Sequence, residues 1–99
     1  MMPKIVQPHD IPKVSVVITC YNYARYLKGC LESVFAQTFR DIEIIVVNDG
    51  STDDTDEVMR PFLGDGRVKY ISQANAGQTR AKNEGIRNAR GEFVAFLDA

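Results

Sequence analysis

The 99-residue sequence has no surplus of cations, no long apolar run, one histidine and two cysteines. Each shortage removes a class of function. Twelve lysines and arginines face thirteen aspartates and glutamates, for a net charge of −1. Nucleic-acid binding needs a basic stripe to neutralise phosphates, and none is present, so no nucleic-acid partner is expected. No apolar run approaches the roughly 20 residues of a membrane span. Residues 1–13 lack the apolar segment of a signal peptide and, with Pro3, Pro8 and Pro12, read as a flexible lead-in. Cys20 and Cys30 are too few for a disulfide framework and read as reduced thiols, which fits a cytoplasmic location. The lone His9 lies in the lead-in, which leaves neither a Ser/His/Asp set nor a Cys/His metal cluster.

Glycine signatures are missing too. The first strand-to-helix turn reads Thr19-Cys20-Tyr21-Asn22-Tyr23 where a dinucleotide fold would carry G-x-G-x-x-G, and no Walker-type loop occurs. Dehydrogenases and P-loop enzymes lose their phosphate cradles by that absence. Any phosphate must be held otherwise, and a metal on a carboxylate at the fourth strand is the natural substitute.

What is present is a repeating pattern of apolar strand followed by polar strand end. Residues 14–19, 42–48 and 92–97 are apolar runs of the kind buried in parallel sheets, and residues 67–72 alternate as an edge strand does. Between them lie three helical stretches. The first carries Leu27, Cys30, Leu31, Val34 and Phe35 on one stripe. The second runs from about Asp53 to Leu63, with Val58, Met59, Phe62 and Leu63 inward and Pro61 as a kink. The third runs to about Arg90, with Ala81, Gly85, Ile86 and Ala89 inward and Gly91 as its C-cap. The order β-α-β-α-β-α-β with right-handed crossovers predicts a parallel, doubly wound, Rossmann-like sheet over residues 14–99, without repeats or a second domain.

A parallel sheet gathers the C-terminal ends of all its strands on one rim, where open α/β sheets bind ligands. That rim collects Thr19 to Asn22, Asn48 to Ser51, Gln73 to Gly77, and Asp98, with Arg80 on the first turn of the third helix. Two carboxylates, a tyrosine, amides and hydroxyls suit a polar, ring-containing ligand and a divalent cation. Asp49 is equally a candidate turn residue, and Asp53, Asp54 and Asp56 read as capping and dipole residues.

Six segments taken together resemble family 2 glycosyltransferases of GT-A fold: residues 14–22 (VSVVITCYN), 31–39 (LESVFAQTF), 43–53 (EIIVVNDGSTD), 75–77, 80–83 and 91–98 (GEFVAFLD). The resemblance implies strand order 3-2-1-4. It also implies that Thr19, Tyr21 and Asp49 embrace the uracil of a UDP-sugar, with Arg80 beside the base. Asp98 matches the first Asp of the D-x-D motif, whose last Asp binds Mg²⁺ or Mn²⁺ on the diphosphate, so its part in metal binding is indirect. The sequence stops at Ala99, one residue short of that last Asp, and the acceptor site and general base that the family places later are missing. It therefore reads as an inactive fragment with no catalytic residue of its own. The implied reaction of the longer enzyme is metal-assisted, inverting hexosyl transfer from a nucleotide-sugar donor to an acceptor sugar or lipid-linked glycan, at the inner face of the membrane. Rival readings are a non-catalytic nucleotide-binding module and a sugar-nucleotidyltransferase; the latter wants a Gly/Arg-rich loop after the first strand, which is absent. An uncovered fourth strand with no proline or lysine within residues 93–97 predicts association between copies.

Overall fold

The computed structural model describes residues 11–37 and 40–98. Most of the expected lead-in, with His9, lies outside the described residues, as do Thr38, Phe39 and Ala99. The elements run β1 (Val14–Cys20), α1 (Ala24–Phe35), β2 (Ile42–Asp49), α2 (Thr55–Met59), β3 (Val68–Gln73), α3 (Gln78–Asn88) and β4 (Phe93–Asp98). The four strands are parallel in the order β3-β2-β1-β4, the doubly wound sheet expected.

β1 and β2 form the centre, and β2 is buried along its whole length. Apolar residues on both faces explain this, because each face packs against helices. On one face Val16, Ile18, Ile44 and Val46 meet Leu27, Leu31 and Val34 of α1 and Met59 of α2. On the other, Val17, Ile45 and Val47 meet Ala81 of α3. α3 is small-sided where it crosses the sheet: a Cβ on Gly85 would come within 2.3 Å of Val17 Cγ1. Burying each Leu or Ile of this core is worth about 1.5–3 kcal/mol.

Two helices are shorter than expected. α2 stops at Met59 and tightens into a 3₁₀ turn over Arg60–Phe62, because Pro61 has no N–H to continue the α-helical ladder. Leu63, expected inward, is 49% exposed beyond that turn. α3 ends at Asn88, and Ala89 turns to extended backbone, so Gly91 is not its cap. The reason lies in the sheet. The buried Glu43 carboxylate accepts hydrogen bonds from Ser15 Oγ and from the Arg90 backbone N–H and Nε (2.6 and 3.2 Å), while Gly91 N–H donates to Ser15 Oγ at 2.8 Å. Burial pushes the Glu43 pKa up, but these donors outweigh it and leave the pKa lowered. The chain is thus pulled off the helix to begin β4. Ile86, expected inward, stands exposed.

β4 lies at an edge, and all six of its residues are exposed. Among the described residues no helix is long and apolar enough to cross a membrane.

Candidate functional site

Register and the two-residue period of strands decide which side chains share the rim. Thr19 is paired with Val47 on one side and Asp98 on the other, and Asp49 is paired with Gln73. Thr19, Asp49, Gln73 and Asp98 therefore all fall on the α3 face at the C-terminal ends of their strands. Two strand spacings and two residue rises place the Cα atoms of Asp49 and Asp98 on the order of 12 Å apart.

Above them is a cleft of about 520 Å³, a size suited to a small molecule. Thr19, Asp49 and Asp98 lie at its floor. Tyr21 and Tyr23 form one wall, and Asn75, Gly77, Gln78 and Ala81 the other. Gln78 and Ala81 are one helical turn apart and face the cleft together. Arg80, about 200° around the helix from Gln78, lines a separate concavity with Gln73, Asn83 and Arg87.

Asp49 is 4% exposed. Its Oδ1 accepts from Gln73 Nε2 (2.9 Å) and the Ala76 N–H (2.8 Å), and its Oδ2 accepts from the Gly77 N–H (3.0 Å). Its backbone carbonyl accepts from Asn75 Nδ2 at 3.1 Å. Burial pushes the pKa up, but the three donors outweigh it and hold the carboxyl below its ordinary value. An ionised carboxylate offers about four lone-pair positions, so one on Oδ2 stays open. Asp49 is thus a turn residue and a cleft residue at once, because it folds the Gln73–Gly77 loop against β2. Gly50 makes the close approach possible. Its φ is +74°, and a Cβ there would meet the Asn75 backbone nitrogen at 2.6 Å.

Asp98 Oδ1 accepts from Thr19 Oγ1 (3.3 Å) and Gln78 Nε2 (2.8 Å). Its Oδ2 has no hydrogen-bond partner among the described residues, and no group of three or more metal-ligating side chains occurs among them. What the site supplies to a cation is one hard oxygen. That fits a hard divalent cation whose shell is completed by phosphate and water.

The two loops at the tyrosine end are tied together. Asn22 N–H donates to Ser51 Oγ (3.0 Å), and Asn22 Oδ1 accepts from the Thr52 N–H (2.7 Å). Asp53 Oδ2 accepts from the Ala24 N–H at 3.0 Å, while its Oδ1 accepts from the Thr55 N–H at 3.2 Å. Asp53 therefore serves two helices, satisfying the first N–H of α2 from the position before its N-cap, Asp54, and the start of α1 as well. The sequence alone sets Gln73 on the rim among several amides and singles out neither Tyr23 nor Gln78. The register of β3 against Asp49 and the helical step from Gln78 to Ala81 are the signals that point to the two glutamines.

The family model described as Glycosyl transferase family 2 matches residues 15–99. Glycosyltransferase GlyA of Streptococcus pneumoniae serotype 4 is 46% identical over 88 residues, which is 88% of this chain and 13% of GlyA. An uncharacterized glycosyltransferase of Nostoc sp. is 52% identical over 89 residues, covering 88% of this chain and 28% of that protein. Among solved structures, S. aureus TarS 1-349 in complex with UDP-GlcNAc matches with a TM-score of 0.82 at 32% identity, over 87% of this chain and 26% of that one. The mannosyltransferase PcManGT from Pyrobaculum calidifontis, in complex with GDP-Man and Mn²⁺, matches with a TM-score of 0.81 at 28% identity, over 89% and 27%. The chain spans 13–28% of the length of these relatives. A family match that takes in every element from β1 to β4, on a sheet shared with these transferases, makes the chain a member of glycosyl transferase family 2 with the GT-A fold.

Proposed function

We propose that the cleft binds the nucleotide of a UDP-sugar, with uracil at the Asp49 end and the diphosphate at the Asp98 end. The observation that carries this reading is the single open acceptor position on Asp49 Oδ2. It suits one ring N–H, which uracil offers at N3, whereas guanine presents an N–H beside an amino group and would ask for two acceptors. Tyr21, 46% exposed on the cleft wall, offers an aromatic face for a planar base. Thr19 and Gln78 orient the Asp98 carboxylate toward the far end of the cleft. Arg80 is assigned to the base by the family resemblance, from a neighbouring concavity.

The longer protein is proposed to transfer a hexosyl group from that donor to an acceptor hydroxyl of a sugar or lipid-linked glycan, with inversion. A divalent cation, when bound, would neutralise the charge developing on the departing diphosphate. Within this chain the residues bind and orient the donor, and the catalytic base is assigned to none of them. The donor end is proposed to face the cytoplasm.

NMR titration of the ¹⁵N-labelled chain with UDP, GDP, ADP and NAD tests the reading. UDP should bind most tightly and first move the amides of Thr19, Tyr21, Asp49 and Gly77. Equal response to all four nucleotides, or shifts confined to the Glu43–Gly91 end of the sheet, would overturn it.

A further inference from the structure

We infer that Asn22 is a positioning residue, holding Tyr21 against the cleft so that its ring is presented to the base; this rests on the nucleotide reading above. β1 ends at Cys20 and α1 begins at Ala24, so no strand pairing or helical bond fixes Tyr21 and Asn22. Asn22 does so by another route. It is the only described residue other than glycine with positive φ, at +56°, a conformation that asparagine tolerates better than most residues. That conformation turns both its backbone N–H and its side-chain oxygen toward the turn after β2. The N–H donates to Ser51 Oγ at 3.0 Å, and Oδ1 accepts from Thr52 N–H at 2.7 Å and Thr52 Oγ1 at 3.3 Å. Ser51 is itself held, its N–H donating to Asn48 Oδ1 at 2.8 Å at the end of the buried β2. The chain is thus anchored to the sheet immediately after Tyr21.

The local alternative is that Asn22 merely caps α1. Its side chain does not do this: the N-cap residue is Tyr23, and it makes no side-chain cap hydrogen bond. The side-chain oxygen of Asn22 instead accepts from a turn 30 residues away. A loop held this way loses little freedom when a ligand stacks on it, which is the general source of affinity through preorganisation.

The experiment compares UDP binding by the whole chain, measured by calorimetry, in wild type and five variants. Asn22→Gly keeps the positive φ and removes the amide, and should weaken UDP about tenfold, the loss expected for one good hydrogen bond's worth of ordering. Asn22→Asp keeps an acceptor for Thr52 and should stay within about twofold of wild type. Ser51→Ala, a milder cut, should weaken binding about threefold. Tyr21→Ala should weaken it at least as much as Asn22→Gly, and Tyr21→Ala/Asn22→Gly should bind no more weakly than Tyr21→Ala alone, because the asparagine acts through the ring. Wild-type affinity in Asn22→Gly, or full additivity in the double variant, overturns the inference. A ligand-free readout separates this from failure of the nucleotide reading. In wild type the Thr52 amide should exchange slowly and the Tyr21 ring signals should be dispersed; in Asn22→Gly both features should be lost while the Val17 and Ile45 amides stay protected. Unchanged Tyr21 and Thr52 signals in that variant overturn the positioning role whether or not UDP binds, whereas a wild-type chain that ignores UDP overturns the nucleotide reading alone.

Discussion

Replacing Asp49 by Asn tests the double duty of this residue, and the structure sets the size of the effect. Native Oδ1 receives two donors and Oδ2 receives one. An amide oxygen can keep Gln73 and Ala76, but the amide nitrogen then faces the Gly77 N–H, donor against donor. The variant loses one charge-assisted hydrogen bond of about 1.5–3 kcal/mol and weakens two others by removing their charge. A net loss on the order of 3 kcal/mol, at several degrees per kcal/mol for a chain this size, lowers Tm by on the order of 10 °C. Thermal melts followed by circular dichroism at pH 7 read the global effect, and amide exchange at Ala76 and Gly77 reads the local one. UDP binding should fall at least tenfold in the same variant, since the open acceptor is gone as well. A variant that melts with wild type, with Ala76 and Gly77 still protected, would refute the claim that this carboxylate holds the loop.

Hydrogen-bond donors hold Glu43, Asp49 and Asp53 below their ordinary pKa values against the push of burial, and the Arg67 guanidinium, donating to Asp65 at 2.9 Å, does the same for Asp65, so the stability these groups contribute is fully present above about pH 5. It should fall as pH drops through 4 and below; melts from pH 7 to pH 3 would hold level down to about pH 5 and decline beneath it, and a flat profile would contradict the donor networks around these carboxylates. Gly50→Ala puts a Cβ against Asn75 at φ +74° and should cost more than about 1 kcal/mol, read as a lower denaturant midpoint with unchanged slope. The uncovered β4 edge is proposed to pair with a second copy: sedimentation of the chain should show concentration-dependent association that Val94→Lys abolishes, and a wild-type monomer at every concentration would contradict it.

The sheet was legible because its strands are written as apolar runs and its rim as their polar ends. Parity alone puts Thr19, Asp49 and Asp98 on one face once the register is known. The ends of α2 and α3 were less legible. Pro61 is visible in sequence, but the pull of Glu43 on Arg90 depends on a contact across 47 residues. The same holds for the strap between Asn22 and Thr52, where neither residue type announces a partner. Arg80 shows the limit of placing a residue by proximity in sequence. It follows Gln78 by two positions, and that helical step turns it away from the cleft that Gln78 lines.

The central claim is that a uridine nucleotide lies along the rim from Asp49 to Asp98. Paramagnetic broadening of the ¹⁵N-labelled chain by Mn²⁺, with and without UDP, tests it most directly. With UDP present, Mn²⁺ should broaden Asp98, Thr19 and Gln78 most strongly and Asp49 less, as the on-the-order-of-12 Å separation requires. The Glu43, Arg90 and Gly91 signals at the opposite end should stay sharp. Broadening that is strongest at Asp49, or that is the same without UDP, would contradict the account.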